Sequence, residues 1–212
     1  MKVEINNKIP THFSEYWPAY YDIFSHYEET LGIPHALFLI TTLKENGKPN
    51  ICFGGWGSFW GDKGGFFALI PVMQKSHTYA NILRDKEFCV NFINYSYREN
   101  CWNTIKNNDE ELDEMTVGGF IEEKPSVVSV PRIAQAFMSL ECTLESEQDI
   151  SKAGVNSLII GKVVHASVDI DYIDGLKKFD KDGFMFYHQE LFHYLQNNEG
   201  KRRYSHLKLL DD

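Results

Sequence analysis

Hydrophobic and polar positions divide the chain into stretches of different period. Phe13, Tyr16, Trp17, Tyr20, Tyr21, Phe24 and Tyr27 recur every three or four residues, which predicts an amphipathic helix with an aromatic stripe, stopped by Gly32 and Pro34. Such a stripe is expected to pack on the body of the protein or on a partner subunit, the alternative being a direct role in holding a ligand. After Pro34 the pattern shortens to strands. Ala36–Leu43 and Ile51–Gly57 flank Asn46-Gly47, the strongest short-range signal for a hairpin. A third strand is predicted over Gly65–Ile70, ended by Pro71. A short helix over Thr78–Arg84 and a fourth strand over Phe88–Ile93 follow. Ala136, Met138, Leu140, Cys142 and Leu144 alternate with Phe137, Ser139, Glu141, Thr143 and Glu145, the pattern of an antiparallel strand with one wet face, and Leu158–Val168 predicts another strand. Between these, Tyr95–Lys106 predicts helix, and the acidic run Asp109, Glu110, Glu111, Asp113 and Glu114 a solvated loop or helix edge. Helical spacing returns around Phe184–Leu195.

Strand following strand, with helices only at the periphery, predicts a mainly β fold: an antiparallel sheet closed into a small barrel. A parallel nucleotide-binding sheet is disfavoured. The expected organisation is a helical extension over 1–32, the barrel over 33–170, and a helical or irregular extension over 171–212 packed on it.

Composition narrows the function. The chain has 212 residues and a formal charge of −9, so it lacks the cationic excess that draws proteins to nucleic acid or anionic membranes. No apolar run approaches the roughly 20 residues of a membrane span, and the N-terminus has no secretory apolar region, which makes a cytoplasmic protein the expectation. Cys52, Cys89, Cys101 and Cys142 never form a C-x-x-C pair, so buried, reduced thiols are expected rather than a zinc site. His188 and His193 are five apart and face different ways on a helix, unlike the i, i+4 pair of a metal-binding helix. No metal is expected.

Glycines crowd Gly54, Gly55, Gly57, Gly61, Gly64 and Gly65, yet Gly55-Trp56-Gly57 reaches Trp60 where a dinucleotide fingerprint needs its third glycine. Phosphate-loop and nucleophile-elbow motifs are absent as well. Two segments remain. Gly55, Trp56, Gly57, Ser58 and Phe59 form a glycine-broken, aromatic strand end, where backbone can approach a flat ring, or which marks only a bulge. Pro71, Gln74, Lys75, Ser76, His77 and Thr78 place a lysine and two hydroxyls at a helix start, where free N–H groups and the helix dipole favour a phosphate; alternatively Ser76 only caps the helix.

Taken in order, Ile40-Thr41-Thr42, Asn46-Gly47-Lys48-Pro49-Asn50, Gly57-Ser58-Phe59, Lys75 to Ile82 and Glu87 to Phe92, then Pro131-Arg132-Ile133 and Ser139 to Cys142, resemble the flavin reductase family with the FMN-binding split barrel, flavoredoxin included. The resemblance runs from about Ile33 to Val168. It implies a homodimer of split barrels with FMN between subunits. Gly57, Ser58 and Phe59 would then line the isoalloxazine, and Lys75, Ser76 and Thr78 would hold the phosphate. It also implies that NADH or NADPH meets the flavin directly and passes hydride to N5, with no catalytic side chain required. A flavoredoxin-like carrier served by an electron-transfer protein partner, and a non-catalytic flavin-binding protein, are the alternatives. Gly54-Gly55-Trp56 and the aromatic N-terminal extension depart from the family pattern.

Overall fold

The computed structural model describes residues 2–9, 26–190 and 202–210. The stripe from Phe13 to Phe24 lies outside them, as does His193; Tyr27 sits in α1 (His26–Leu31). Next come β1 (His35–Ala36), β2 (Phe38–Leu43), β3 (Pro49–Gly54), β4 (Ser58–Asp62) and β5 (Gly65–Met73). They are followed by α2 (His77–Asp85), β6 (Glu87–Phe92), α3 (Arg98–Lys106), α4 (Glu114–Gly118), β7 (Glu122–Glu123) and β8 (Arg132–Ile133). Two long strands, β9 (Met138–Gln148) and β10 (Asn156–Val168), precede β11 (Phe186–Glu190) and β12 (Arg202–Ser205).

Seven antiparallel strands form the main sheet in the order β3-β2-β6-β9-β10-β5-β4. Its curvature is visible in its core, because Phe38 and Ile40 from one end of the sheet share a cluster with Ala68, Ile70 and Val72 from the other. The two edge strands, β3 and β4, are joined only by 55–57, so the barrel stays open there. A second cluster, with Leu39, Ile51, Cys101 and Met115, lies on the outer face under α3 and α4. Burial on both faces explains why β2 does not alternate, with Phe38, Leu39 and Ile40 in succession followed by the buried Thr41 and Thr42.

The hairpin turn has the predicted chemistry: Gly47 takes φ +81°, and the Lys44 amide donates to the Lys48 carbonyl at 2.9 Å. Several expectations are corrected. β5 does not end at Pro71 but runs to Met73; β4 reaches only as far as Leu69 along it, so Pro71 pairs on one side alone, where a missing N–H is tolerated. β4 itself was hidden by Gly61 within it and by Gly57 and Gly64 around it. The expected wet face of β9 is dry in its first half, while Glu145 further along is exposed as expected. Ser139 and Glu141 are 2% and 0% exposed, the first bonded to Asn91 and the second to the backbone of 126–128. The acidic run is only partly solvated. Asp113 caps α4, and Glu114 is buried in an ion pair with Lys44 at 2.9 Å. Lys44 also donates to the carbonyls of Asp109 and Leu112, which ties this loop to the hairpin. Finally, 186–190 is strand rather than helix. β11 pairs with β1 and β12 in a separate three-stranded sheet, and Phe184 packs on the barrel core.

Candidate functional site

The helix start is built by Ser76. Its hydroxyl accepts from the Tyr79 amide at 3.1 Å and donates to the Met73 carbonyl at 2.7 Å, which satisfies one of the first-turn amides. Among the described residues, the His77 and Thr78 amides make no backbone or side-chain hydrogen bond, and His77 Nδ1 is buried without a partner. The other ring nitrogen of His77 stands 3.4 Å from Glu110. Lys75 is exposed beside them. Two unused N–H groups, an orphaned imidazole nitrogen, a lysine and the positive end of a helix dipole make a donor set that fits a phosphate.

Not every flagged residue faces that position. Thr78 is 2% exposed; its hydroxyl accepts from Asn50 at 2.9 Å, beside Thr42 and Asn81, and turns inward toward the Cys52 thiol, so its backbone rather than its side chain faces outward for an anion. Gln74 is committed to the β9–β10 turn, donating to Asp149 at 3.1 Å and to Ser157 at 2.8 Å. That turn holds the Asp149 carboxylate below its ordinary range, led by the Gly154 amide.

At the ring end, Trp56 and Pro71 come together in the wall of a cavity of about 420 Å³, which Tyr27, Glu28, Leu31, Ile33 and His35 also line. Burial pulls the His35 imidazole below its ordinary pKa, so the wall is uncharged near neutrality at that point. Gly55 and Gly57 are explained by packing. A Cβ on Gly55 would stand 2.9 Å from a Leu37 methyl, and one on Gly57 would stand 2.9 Å from the Phe38 ring. Phe59 turns inward, edge-on to Phe38 at 5.9 Å and to Phe92 at 5.4 Å, whereas Ser58 is exposed. The structure therefore unites Trp56 with Pro71 and groups Lys75 with Ser76 and His77. Phe59 belongs to the core.

Glu28, Leu31, Ile33, His35 and Asn156 line the same cavity and were not singled out from sequence, while Tyr27 was read only as part of the aromatic stripe. His35, directly after Pro34 and opening a strand, carried the one available signal. The four cysteines are reduced, and burial raises Cys52 to about 11 and Cys89 and Cys101 to about 12, with Cys142 higher still. They are poor nucleophiles at neutral pH. Among the described residues no cluster of His, Cys, Asp or Glu could hold a metal, and no helix is long and apolar enough to cross a membrane.

Comparison with protein-family models matches residues 30–194 to the flavin reductase like domain. Comparison with curated proteins finds no match. Among solved structures, the chain is similar to a Shewanella frigidimarina protein described as a flavin reductase with split barrel domain, at 19% identity and TM-score 0.71 over 88% of this chain and 89% of that one. Flavoredoxin of Desulfovibrio vulgaris superposes with TM-score 0.67 at 17% identity, covering 84% and 91%. An FMN-binding protein from Thermus thermophilus, with bound p-hydroxybenzaldehyde, gives 0.65 at 15% identity over the whole of both chains. These likenesses establish the split-barrel fold.

Proposed function

The chain belongs to the flavin reductase like domain family, and from that membership we propose that it binds FMN and works as an NAD(P)H-dependent flavin reductase-type oxidoreductase. The observation that carries the reading is the start of α2, where the His77 and Thr78 amides and the orphaned His77 Nδ1 await an acceptor beside Lys75. Lys75 and these amides hold the phosphate. Ser76 positions them by fixing the helix cap. Trp56 and Pro71 supply an apolar wall that keeps water from one side of the ring; in the same lining the neutral His35 adds no charge and Glu28 is the one carboxylate. When bound, FMN supplies the hydride-accepting chemistry. No side chain is assigned a proton-transfer role; the protein binds, orients and shields.

A homodimer belongs to the same proposal. Trp60, 50% exposed on the edge strand β4 with its ring 5.8 Å from that of Phe67 on the same face, offers an apolar anchor on an unpaired edge for a second copy. The test is the absorbance spectrum of the purified protein together with NADH and NADPH consumption, with and without added FMN. A flavin spectrum and FMN-dependent oxidation of either nicotinamide are expected. Failure to bind FMN overturns the proposal. Bound FMN without nicotinamide oxidation replaces it with the carrier reading, in which a protein partner supplies the electrons.

A further inference from the structure

A cavity of about 710 Å³ opens between α3, the segment 181–185 and the β12 region, sharing no lining residue with 55–59 or 71–78. Its charge runs against that of the chain. Arg98, Lys106, Lys181 and Arg203 line it and Glu99 is its one carboxylate, a local excess of three positive charges in a protein of net −9. Among the described residues, Lys106, Lys181 and Arg203 form no ion pair. Unpaired cations of one sign in a concave surface focus an attractive field on anions.

The same wall is aromatic. The rings of Tyr95 and Tyr204 lie 5.7 Å apart, and the Arg98 guanidinium sits 5.3 Å from the first and 5.8 Å from the second. Trp102 donates its indole N–H to the Tyr204 hydroxyl at 3.1 Å, which fixes that ring's orientation. Arg98 is held over these rings and is already engaged at both ends of its fork, pairing with the exposed Glu99 and donating to the Tyr95 hydroxyl at 3.1 Å, so an incoming anion shares or displaces these contacts. Its planar fork suits a carboxylate or phosphate, and the rings suit a flat partner.

We propose that this cavity is a second ligand site, separate from the flavin's, and that it takes a planar aromatic ring carrying a carboxylate or a phosphate. The volume is that of a site for one small molecule. The proposal does not rest on the flavin reading, because binding can be followed with FMN present or absent.

Isothermal titration of the full chain, with and without saturating FMN, tests it with two probes: salicylate for aromatic carboxylates and AMP for aromatic phosphates. Saturable binding of at least one probe is expected in both conditions. Arg98→Gln with Arg203→Gln should weaken it tenfold or more, as loss of charge-assisted contacts requires. Salicylate alone binding assigns the site to carboxylates; AMP alone assigns it to nucleotides. Should the arginine variant fail to fold by circular dichroism, Lys106→Gln with Lys181→Gln must weaken binding instead. No saturable binding of either probe, affinities unmoved by the folded variant, or displacement of the probe by FMN would overturn the proposal, the last by making this the flavin's own site.

Discussion

Replacing Glu141 by glutamine isolates one buried charge. The Glu141 side chain is fully inaccessible; one carboxylate oxygen accepts from the Ser126 amide at 2.8 Å and from Arg132 at 3.3 Å, the other from Val127 at 2.7 Å and Val128 at 3.1 Å. Glutamine keeps one acceptor oxygen and turns an NH₂ group toward the donors on the other side. At least two donor contacts are lost, and a hydrogen bond to a charged group contributes about 1.5–3 kcal/mol. Arg132 keeps Glu123 at 3.0 Å and the Lys124 carbonyl at 2.9 Å, so its own loss is partial. A destabilisation of about 3–6 kcal/mol follows, a large share of the roughly 5–15 kcal/mol that holds a domain folded. Urea titration at pH 7 measures it. Burial alone would raise the Glu141 pKa, but the three amides and Arg132 outweigh it and leave the carboxyl below its ordinary 4.5. With the folded value depressed, the stabilisation is complete above the unfolded value and lost as pH falls through the folded one. The gap between wild type and Glu141→Gln should therefore be constant above about pH 5 and close in acid. A gap under about 1 kcal/mol at pH 7, or one that persists unchanged in acid, would refute the assignment.

Gly57→Val drives a side chain into the Phe38 ring, where even a Cβ would stand at 2.9 Å, and should cost about 1–3 kcal/mol in the same titration; a wild-type midpoint would contradict the packing. Lys44→Met strands the buried Glu114 carboxylate and should cost about 3–5 kcal/mol, of which adding Glu114→Leu recovers the part due to the unpaired charge but not the bonds Lys44 gives to the Asp109 and Leu112 carbonyls; an indifferent single variant would show that the pair is not buried as described. The four raised thiols should react with a disulfide reagent at pH 8 far more slowly in the native protein than in urea, and rapid stoichiometric labelling of the folded protein would count against their burial.

The hairpin, α2 and β6 were legible because their signals are local: Asn46-Gly47, Ser76 ahead of an amphipathic turn, and a β-branched and aromatic run. Glu141 was misread because alternation marks which residues share a face, not what covers that face, and its cover comes from 126–132, outside the strand. The strand at 186–190 escaped for a related reason. Its partners, β1 and β12, are far away or weakly patterned, and short aromatic-charged segments fit either period. At the site, the phosphate end could be read from one contiguous segment, whereas the cavity around Trp56 draws on α1, β1, β5 and β10. Glycines near a suspected ring site were read as room for a ligand, yet Leu37 and Phe38 already fill the space beside Gly55 and Gly57.

Titration of FMN against the wild-type chain and against Lys75→Ala combined with Ser76→Ala, followed by quenching of flavin fluorescence, bears on the start of α2 alone. Saturable binding by the wild type and an affinity at least tenfold lower in the variant are predicted, since charge-assisted contacts of about 1.5–3 kcal/mol are removed while the fold keeps all but a helix cap of about 1 kcal/mol. Equal dissociation constants for the two proteins, with both folded, would place the phosphate elsewhere and contradict the proposed site.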